Sequence, residues 1–485
     1  MNKMTIMIPI NQGISFRYII QTDIFIELQK KVKNIILIVP DKSDSFYKDQ
    51  KLFKNVIVED YRQEECEQYI LSSKIHRLLR RIRSFVQNGH YDISTTKGHH
   101  AIFLKDFYNN NKASYFNLFI LRITNIIIVI ARRSKVLRKL ILIIENKLFT
   151  PNIHFDLFNK YKPDILLVAS LGTFDYDQLF MRQARKNGVK VISIILSWDN
   201  TTTRGYPAAY SDLIISWTEI MKKELIQLND IDKSKIQVGG VALYDHYNNN
   251  NFFYSRNELN EILKIDKKLD FIFFATKSPN CYVSNDYVAE LILEAINKKK
   301  LIKECHLLVR LHPIFFRRVN GEMVFARFLK DFKELSNKNN RLTINGPKII
   351  SKALNYSMPN SEIKLLASIL KHSCLMINIF SSLNIEASIF DIPIINVAFE
   401  GKISNSLKKA RLNIHQDLNE THNQRIVNSG GVKMVYNEQQ LIPAINEELS
   451  SPSKRQKGRQ NILQNETGPN SGIAGKKIAN LILNC

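Results

Sequence analysis

The sequence predicts an α/β protein of two domains, each a parallel sheet covered by helices on both faces. Three observations predict it. The chain has 485 residues, more than one hydrophobic core ordinarily serves. Short continuous apolar runs alternate with amphipathic helical patterns, and strands buried on both faces read as such runs. A polar low-complexity stretch, residues 248–251, interrupts the alternation, which then restarts.

Strands are expected at residues 5–10, 34–40, 164–169, 190–196, 213–217 and 236–241 in the first half. Those of the second half are expected at 271–275, 306–311, 341–344, 375–380, 394–399 and 433–436. Helical periodicity marks 177–186, 219–228, 286–298, 361–371, 438–449 and 473–483. The domains are therefore expected at 1–247 and 252–485, with the last helix crossing back to the first domain. The default ligand site of two such sheets is a cleft facing the carboxyl ends of their strands.

Residues 71–86 and 118–144 depart from the pattern. They read as helices of an insertion, about 70–150, apolar on one face and basic elsewhere. Lys74, His76, Arg77, Arg80, Arg81 and Arg83 crowd the first segment, and Arg132, Arg133, Lys135, Arg138 and Lys139 the second. These are either core helices with solvated charged faces or helices that dock on an anionic membrane. The formal net charge of +24 points the same way, toward a polyanionic partner. Nucleic acid is not expected, because aromatic residues are not interleaved with the basic ones and no helix-turn-helix or zinc-finger pattern appears. The longest apolar run, 123–131, is short of the ~20 residues that cross a bilayer, so no span is expected. Five scattered cysteines, an odd number without metal or redox spacing, fit a reducing cytoplasm, with attachment to the inner face of the plasma membrane through the basic helices.

Five places carry candidate chemistry. Ser381 and Ser382 follow an apolar strand and open a helix, with Asn384 and Glu386 on its first turns. Hydroxyls and free N–H groups at a helix start suit a phosphate, and Glu386 could accept from ribose hydroxyls; an ordinary N-cap fits as well. Arg310 and His312 end another strand, where an Arg fork and an imidazole suit phosphate contact or proton transfer, and Pro313 stops the strand. Trp198, Asp199 and Asn200 begin a polar loop that runs to Arg204. Asp199 there could act as a general base, or the loop could simply cover a packed Trp. Gly13 follows the first strand, permitting close backbone approach or a tight turn. His415 lies in a polar stretch. No metal-ligand spacing, nucleophile elbow, Walker loop or dinucleotide fingerprint is present, so neither metal nor cofactor is expected.

The Arg310-Leu311-His312-Pro313 strand end and the Ser381-Ser382 to Glu386-Ala387 helix start together resemble GT-B glycosyltransferases of bacterial surface-polysaccharide synthesis, and the related CDP-glycerol glycerophosphotransferases. Ser197 to Asn200, Gly205, Ser211-Asp212-Leu213, Trp217, Gly240 and Asp245 are similar to a bacterial branch reading Ser-Trp-Asp-Asn, Lys-Gly, Pro-Asp, Val-Trp, Thr-Gly and Phe-Asp. The likeness runs from about residue 164 to the C-terminus. Ser211, Leu311, Gly239 and Tyr244 depart from it, where Pro, Pro, Thr and Phe are expected.

The resemblance implies two Rossmann-like domains facing each other across a cleft. It implies a nucleotide-activated sugar donor held in the C-terminal domain by Arg310, His312, Ser381, Ser382, Asn384 and Glu386. Asp199 would join His312 in catalysis, and Gly13, Trp198, Asn200, Arg204 and His415 would line the acceptor site or the cleft. The acceptor would be a surface glycan or a lipid-linked glycan. Metal is usually dispensable in this fold, because helix dipole and basic residues stabilise the leaving phosphate. Rival expectations are glycerophosphate transfer from CDP-glycerol, a sugar epimerase of the same architecture, and a non-catalytic nucleotide-sugar or membrane-binding module.

Overall fold

A computed structural model describes residues 4–44, 46–47, 55–110, 115–174, 176–319, 322–351, 353–401 and 414–485. The chain divides into two compact units. Unit 1 comprises residues 1–245, 351–357 and 468–485; unit 2 comprises 246–350 and 358–467.

Unit 1 is built on seven parallel strands: β1 (Thr5–Pro9), β2 (Asn34–Val39), β3 (Val56–Asp60), β4 (Ile165–Val168), β5 (Lys190–Ile194), β6 (Leu213–Ser216) and β7 (Ile236–Val238). Their order is β3-β2-β1-β4-β5-β6-β7, so it reverses between β1 and β4. In β2, every residue from Ile35 to Val39 is fully buried. Only a strand covered on both faces buries consecutive residues, which is why the parallel prediction follows from composition. The edge strand β3 escaped the sequence reading. Its Val-Ile-Val-Glu-Asp run is half-exposed and ends in acids, so it lacks the continuous apolar signature.

Helices α1 (Gly13–Ile19) and α2 (Asp23–Lys31) connect β1 to β2. Between β3 and β4 the chain inserts α3 (Gln63–Ser72), α4 (Lys74–Arg83), α5 (Ser94–Asn110), α6 (Tyr115–Arg133) and α7 (Lys135–Leu148). The stretch expected as one helix, 118–144, is two. Ser134 divides it and accepts the Leu137 N–H to cap α7. Helix α6 begins at Tyr115 and runs 19 residues, longer than the apolar run read from the sequence and, by length and composition alone, enough to cross a membrane.

The basic residues of the insertion are not all on its surface. Glu145, fully buried, receives Arg83 Nε at 2.8 Å and faces Arg182 Nη2 at 3.3 Å. Arg138 grips Asp230 with Nε and Nη2 at 2.6 and 3.0 Å. His76 is buried among these groups. Burial, then the charges of Arg182, Arg80 and Arg83, push its imidazole down to about 3, so it is neutral. Removing one member of such a network strands its partner in low dielectric. These pairs therefore hold the insertion's helices to one another and to the helices Asp177–Lys186 and Glu219–Asn229.

The last helix, Ala474–Leu483, packs against α2 within unit 1. Asp245 accepts the N–H groups of Ala474 and Gly475 at 3.0 and 2.7 Å, capping its free end. Gly240, at φ +86°, lies where a Cβ would stand 2.1 Å from the Pro469 carbonyl oxygen.

Unit 2 has six parallel strands: β8 (Asp270–Ala275), β9 (Cys305–Arg310), β12 (Leu342–Asn345), β13 (Leu375–Asn378), β14 (Ile394–Val397) and β15 (Lys433–Val435). A small hairpin, β10 (Arg318–Val319) and β11 (Glu322–Met323), lies between β9 and β12 in the chain. The sheet order is β12-β9-β8-β13-β14-β15, the doubly wound order, with its reversal between β8 and β13.

Three buried histidines make stability pH-dependent. His154 is pinned between the Tyr61 carbonyl, 2.9 Å from Nε2, and Gln183, 3.1 Å from Nδ1, and stacks on Phe180. Burial pushes His154 and His306 down to about 4, and His76 further. Below the ordinary value near 6.5 the unfolded chain protonates these rings and the folded chain does not. Stability therefore falls as pH drops from about 6.5 toward 4. The melting temperature should decline steadily over that window, before the carboxylates titrate. A midpoint unchanged between neutral pH and about 5 would contradict the burial of neutral rings.

Candidate functional site

The reversal of strand order in unit 2 leaves the carboxyl ends of β8 and β13 without a shared crossover between them, the place where open α/β sheets bind ligands. Past β13 the chain turns sharply. Phe380 sits at φ +43°, a left-handed conformation that costs a non-glycine residue about 1–3 kcal/mol. Ser381 then accepts the Leu383 N–H with its Oγ at 3.2 Å, and the helix Leu383–Ile389 begins. Ser382 occupies the N-cap position, yet its side chain makes no capping bond. Asn384 is fully buried and accepts from Asn378 of β13 at 2.7 Å, so it ties the turn to its strand.

Past β8 come Thr276 and Lys277. The Lys277 Nζ donates to the Phe380 carbonyl at 3.4 Å and pairs closely with Asp417. Past β9, the His312 backbone N–H donates to Thr276 Oγ1 at 2.9 Å. Three strand ends are thus stitched together through Thr276, Lys277 and Phe380. The Ile314 N–H donates to His312 Nδ1 at 3.2 Å, so Nδ1 is the acceptor and the neutral ring carries its proton on Nε2. Crowding by protein and the Lys277 charge push His312 down to about 4. The ring is open to solvent, so the charge of Lys277 is the firmer of the two causes; both keep it neutral at pH 7. Asp417 is buried. Burial raises its pKa, Lys277 opposes that rise, and Glu420 adds to it.

The remaining sequence candidates fall in varied surroundings. Arg310 is 7% exposed, with Nη2 on Glu362 Oε2 at 2.6 Å and Nη1 on Asn345. Its fork is engaged inside unit 2. Glu386, also 7% exposed, accepts from the hydroxyl of Tyr247. His415 is exposed on the short helix Ile414–Leu418.

The other candidates belong to unit 1. Trp198 is 4% exposed. Asp199 accepts from Ser197 at 2.5 Å, Thr203 at 2.9 Å and Asn200 at 3.3 Å, and opens the short helix Asn200–Thr203. Asn200 is itself largely buried, and Arg204 lies exposed over the Phe174 ring at 4.1 Å. Gly13 gives its N–H to the Asn355 carbonyl at 2.7 Å, and a Cβ there would stand 2.2 Å from the Tyr356 backbone. The expected close approach at Gly13 is thus to the chain's own segment 351–357.

Sequence reading missed Lys277, Asp417 and Tyr247. Lys277 had a signal, since it stands two residues past a continuous apolar strand, as His312 does. Asp417 and Tyr247 had none, because their partners are 140 and 139 residues distant. A surface depression lined by Asn297, Lys299, Lys303, Glu304 and Arg341 lies by the opposite end of β9 and gathers no carboxyl strand ends. Among the described residues no group of three His, Cys, Asp or Glu side chains is placed to hold a metal ion.

No protein-family model matches the sequence. No curated protein sequence matches it either. Solved structures do match. The UDP-GlcNAc 2-epimerase from Methanocaldococcus jannaschii aligns over 100% of both chains at 16% identity, with a TM-score of 0.52. S. aureus MnaA, solved with UDP, aligns over 99% of this chain and 97% of its own at 11% identity and 0.53. The UDP-GlcNAc 2-epimerase from Neisseria meningitidis, bound to UDP-GlcNAc, aligns over 99% and 100% at 14% identity and 0.51. At such identities the likeness is one of fold. The fold is GT-B, two Rossmann-like units each with a parallel sheet. The expected tie to CDP-glycerol glycerophosphotransferases gains no support from these neighbours.

Substitutions at Lys277, Asp417 and Asp199 separate scaffold from chemistry. Lys277→Met should lower the melting temperature by leaving Asp417 buried without its partner, and Lys277→Met with Asp417→Leu should recover much of the loss. Failure of the double variant to recover would deny the pair its compensating role. Asp199→Ala should destabilise by about 1–3 kcal/mol through loss of its donors. A drop in turnover of about 10²-fold in the folded fraction, beyond that loss of stability, is the separate mark of a base.

Proposed function

We propose that this chain is a nucleotide-sugar enzyme that transfers a sugar from a nucleotide-activated donor to a surface glycan or lipid-linked acceptor. The observation that carries the reading is the meeting, at the strand-order reversal of unit 2, of the Lys277 ammonium, the neutral His312 and the Ser381-Ser382 turn. Support also comes from the fold neighbours, solved with UDP or UDP-GlcNAc.

In this reading the donor diphosphate lies over the turn. As the bond from sugar to phosphate breaks, negative charge grows on the leaving phosphate. Lys277 offers a fixed positive charge to it, and His312 Nε2–H a hydrogen bond that needs no proton uptake. Arg310, held by Glu362 and Asn345, braces the end of β9 from which His312 projects. Glu386 takes the ribose hydroxyls, and the Tyr247 hydroxyl fixes its carboxylate. Asp199 is proposed as base toward the acceptor, with Gly13, Trp198, Asn200, Arg204 and His415 on the acceptor side.

A second reading is epimerisation of the sugar while it remains on its nucleotide. Asp417 favours it, as a carboxyl group with a raised pKa beside Lys277 that could exchange protons with a sugar carbon. Incubation with UDP-GlcNAc and other nucleotide sugars, with and without glycan acceptors, separates the two. A new epimer without acceptor supports epimerisation, and nucleotide released only with acceptor supports transfer. Neither product, with no donor raising the melting temperature, would sink both.

Within the transfer reading, His312→Ala should lower kcat about 10²-fold or more. His312→Gln, whose amide can donate from nearly the same place, should recover part of it. The contribution of His312 should stay flat from pH 7 to 8, because crowding by protein and the Lys277 charge hold the ring below its ordinary value near 6.5. A rate that follows an ionisation near 6.5 and vanishes in His312→Ala would assign it proton transfer instead. Glu386→Ala should raise donor KM with little change in kcat, and Tyr247→Phe should do the same more weakly.

A further inference from the structure

Helix α6 presents an unpartnered apolar face. Phe116, Phe119, Ile123, Ile126, Val129 and Ile130 recur at helical spacing on one side and are all exposed, Phe116 by 70% and Phe119 and Ile126 by 58% each. The opposite side, Leu121, Thr124, Ile128 and Ala131, is buried in unit 1 against residues such as Ile82, Val86 and Tyr206. From Phe116 to Ile130 the stripe is about 21 Å long. Isolated exposed apolar residues are ordinary; a continuous stripe of this length marks an interaction surface.

Charge says what covers it. Between Tyr115 and Leu148 the only acidic residue is Glu145, which is buried on Arg83 and Arg182. The exposed charges of α6 and α7 are Arg122, Arg133, Lys135, Lys139 and Lys147, all positive. On α7 these alternate with exposed Val136, Leu140 and Ile143. A second copy of this face would bring like charges together. Negatively charged lipid headgroups would neutralise them while acyl chains cover the apolar stripe.

We propose that the outer faces of α6 and α7 dock on an anionic phospholipid bilayer, with α6 lying in the plane of the headgroups. The helix lies on the membrane rather than crossing it. Its inner face is tied to unit 1 by core packing, by Arg132 Nε on the Phe85 carbonyl at 2.9 Å and by the Gly89 N–H on the Arg132 carbonyl at 2.8 Å. Crossing would tear these contacts away and carry Arg122 into hydrocarbon. An enzyme held this way meets a lipid-linked acceptor at the surface where such an acceptor resides.

Co-sedimentation of the purified full chain with vesicles tests the idea. The vesicles are phosphatidylcholine alone, or phosphatidylcholine with about one third phosphatidylglycerol. Binding should be strong to the anionic vesicles, weak to the neutral ones, and should fade as salt rises to about 0.5 M. Phe119→Ser, Ile126→Ser and Ile130→Ser together should weaken binding at least about tenfold with the melting temperature unchanged, since all three side chains are exposed. Lys135→Gln, Lys139→Gln and Lys147→Gln should each weaken it up to about fivefold and flatten its salt dependence. Equal binding to both vesicles, binding to neither, or variants that bind like the parent would overturn the proposal. A dimer by light scattering that the serine substitutions dissolve, without vesicle binding, would assign the face to a second copy instead.

Discussion

The reversal of strand order between β8 and β13 is the constraint on which the candidate site depends. A parallel sheet must cover both faces with crossover helices, and the crossovers leave the two middle strands in opposite directions across the sheet. Their carboxyl ends are then free of connecting helix. Residues just past them can meet without being near in sequence. Lys277, Phe380 and Ser381 meet there, and the neighbouring strand β9 adds His312 through Thr276.

The pairing of Lys277 with Asp417 does more than hold the loop. Two charges at a largely buried site are retained only where each compensates the other. The pair places a cation next to a neutral imidazole whose Nδ1 is already occupied. In the proposed reading, a cation that suppresses protonation of its neighbour, with the one ring proton on Nε2, would serve an anion without proton uptake near neutrality. The arrangement suits charge that develops on a departing phosphate, and so joins local geometry to the proposed transfer.

Unit 1 uses its recognisable motif residues largely as joints. Gly205, at φ +72°, faces the Ser84 backbone, where a Cβ would stand 2.5 Å from its carbonyl oxygen. The Asp212 carboxylate accepts the Val191 N–H at 2.9 Å and closes β6 onto β5. Trp217 donates to the Ile195 carbonyl at 2.7 Å and stacks on Tyr18. Gly240 and Asp245 receive the returning C-terminal segment. The Asp199 turn supports the insertion, because Gln87 donates to the Thr201 carbonyl at 2.8 Å. A motif shared across a fold can therefore report how the chain is joined rather than what it binds.

The sequence by itself determined the two α/β units, nearly all of their strands and the strand ends where chemistry was sought. It could do so because continuous apolar runs have one stable environment, the middle of a sheet covered on both faces. The same logic overlooked β3, whose half-exposed edge lacks that signature. Tertiary structure alone decided which charged residues are partnered. Arg83, Arg138 and Arg310 read in sequence like Lys135 or Lys139, yet the first three are buried on Glu145, Asp230 and Glu362 while the lysines stand in solvent. Ion pairs form between residues 62, 92 and 52 positions apart, and no local pattern encodes such pairings. Burial of a charge depends on that distant partner, so the pairing of Lys277 with Asp417 emerged only once the chain was folded.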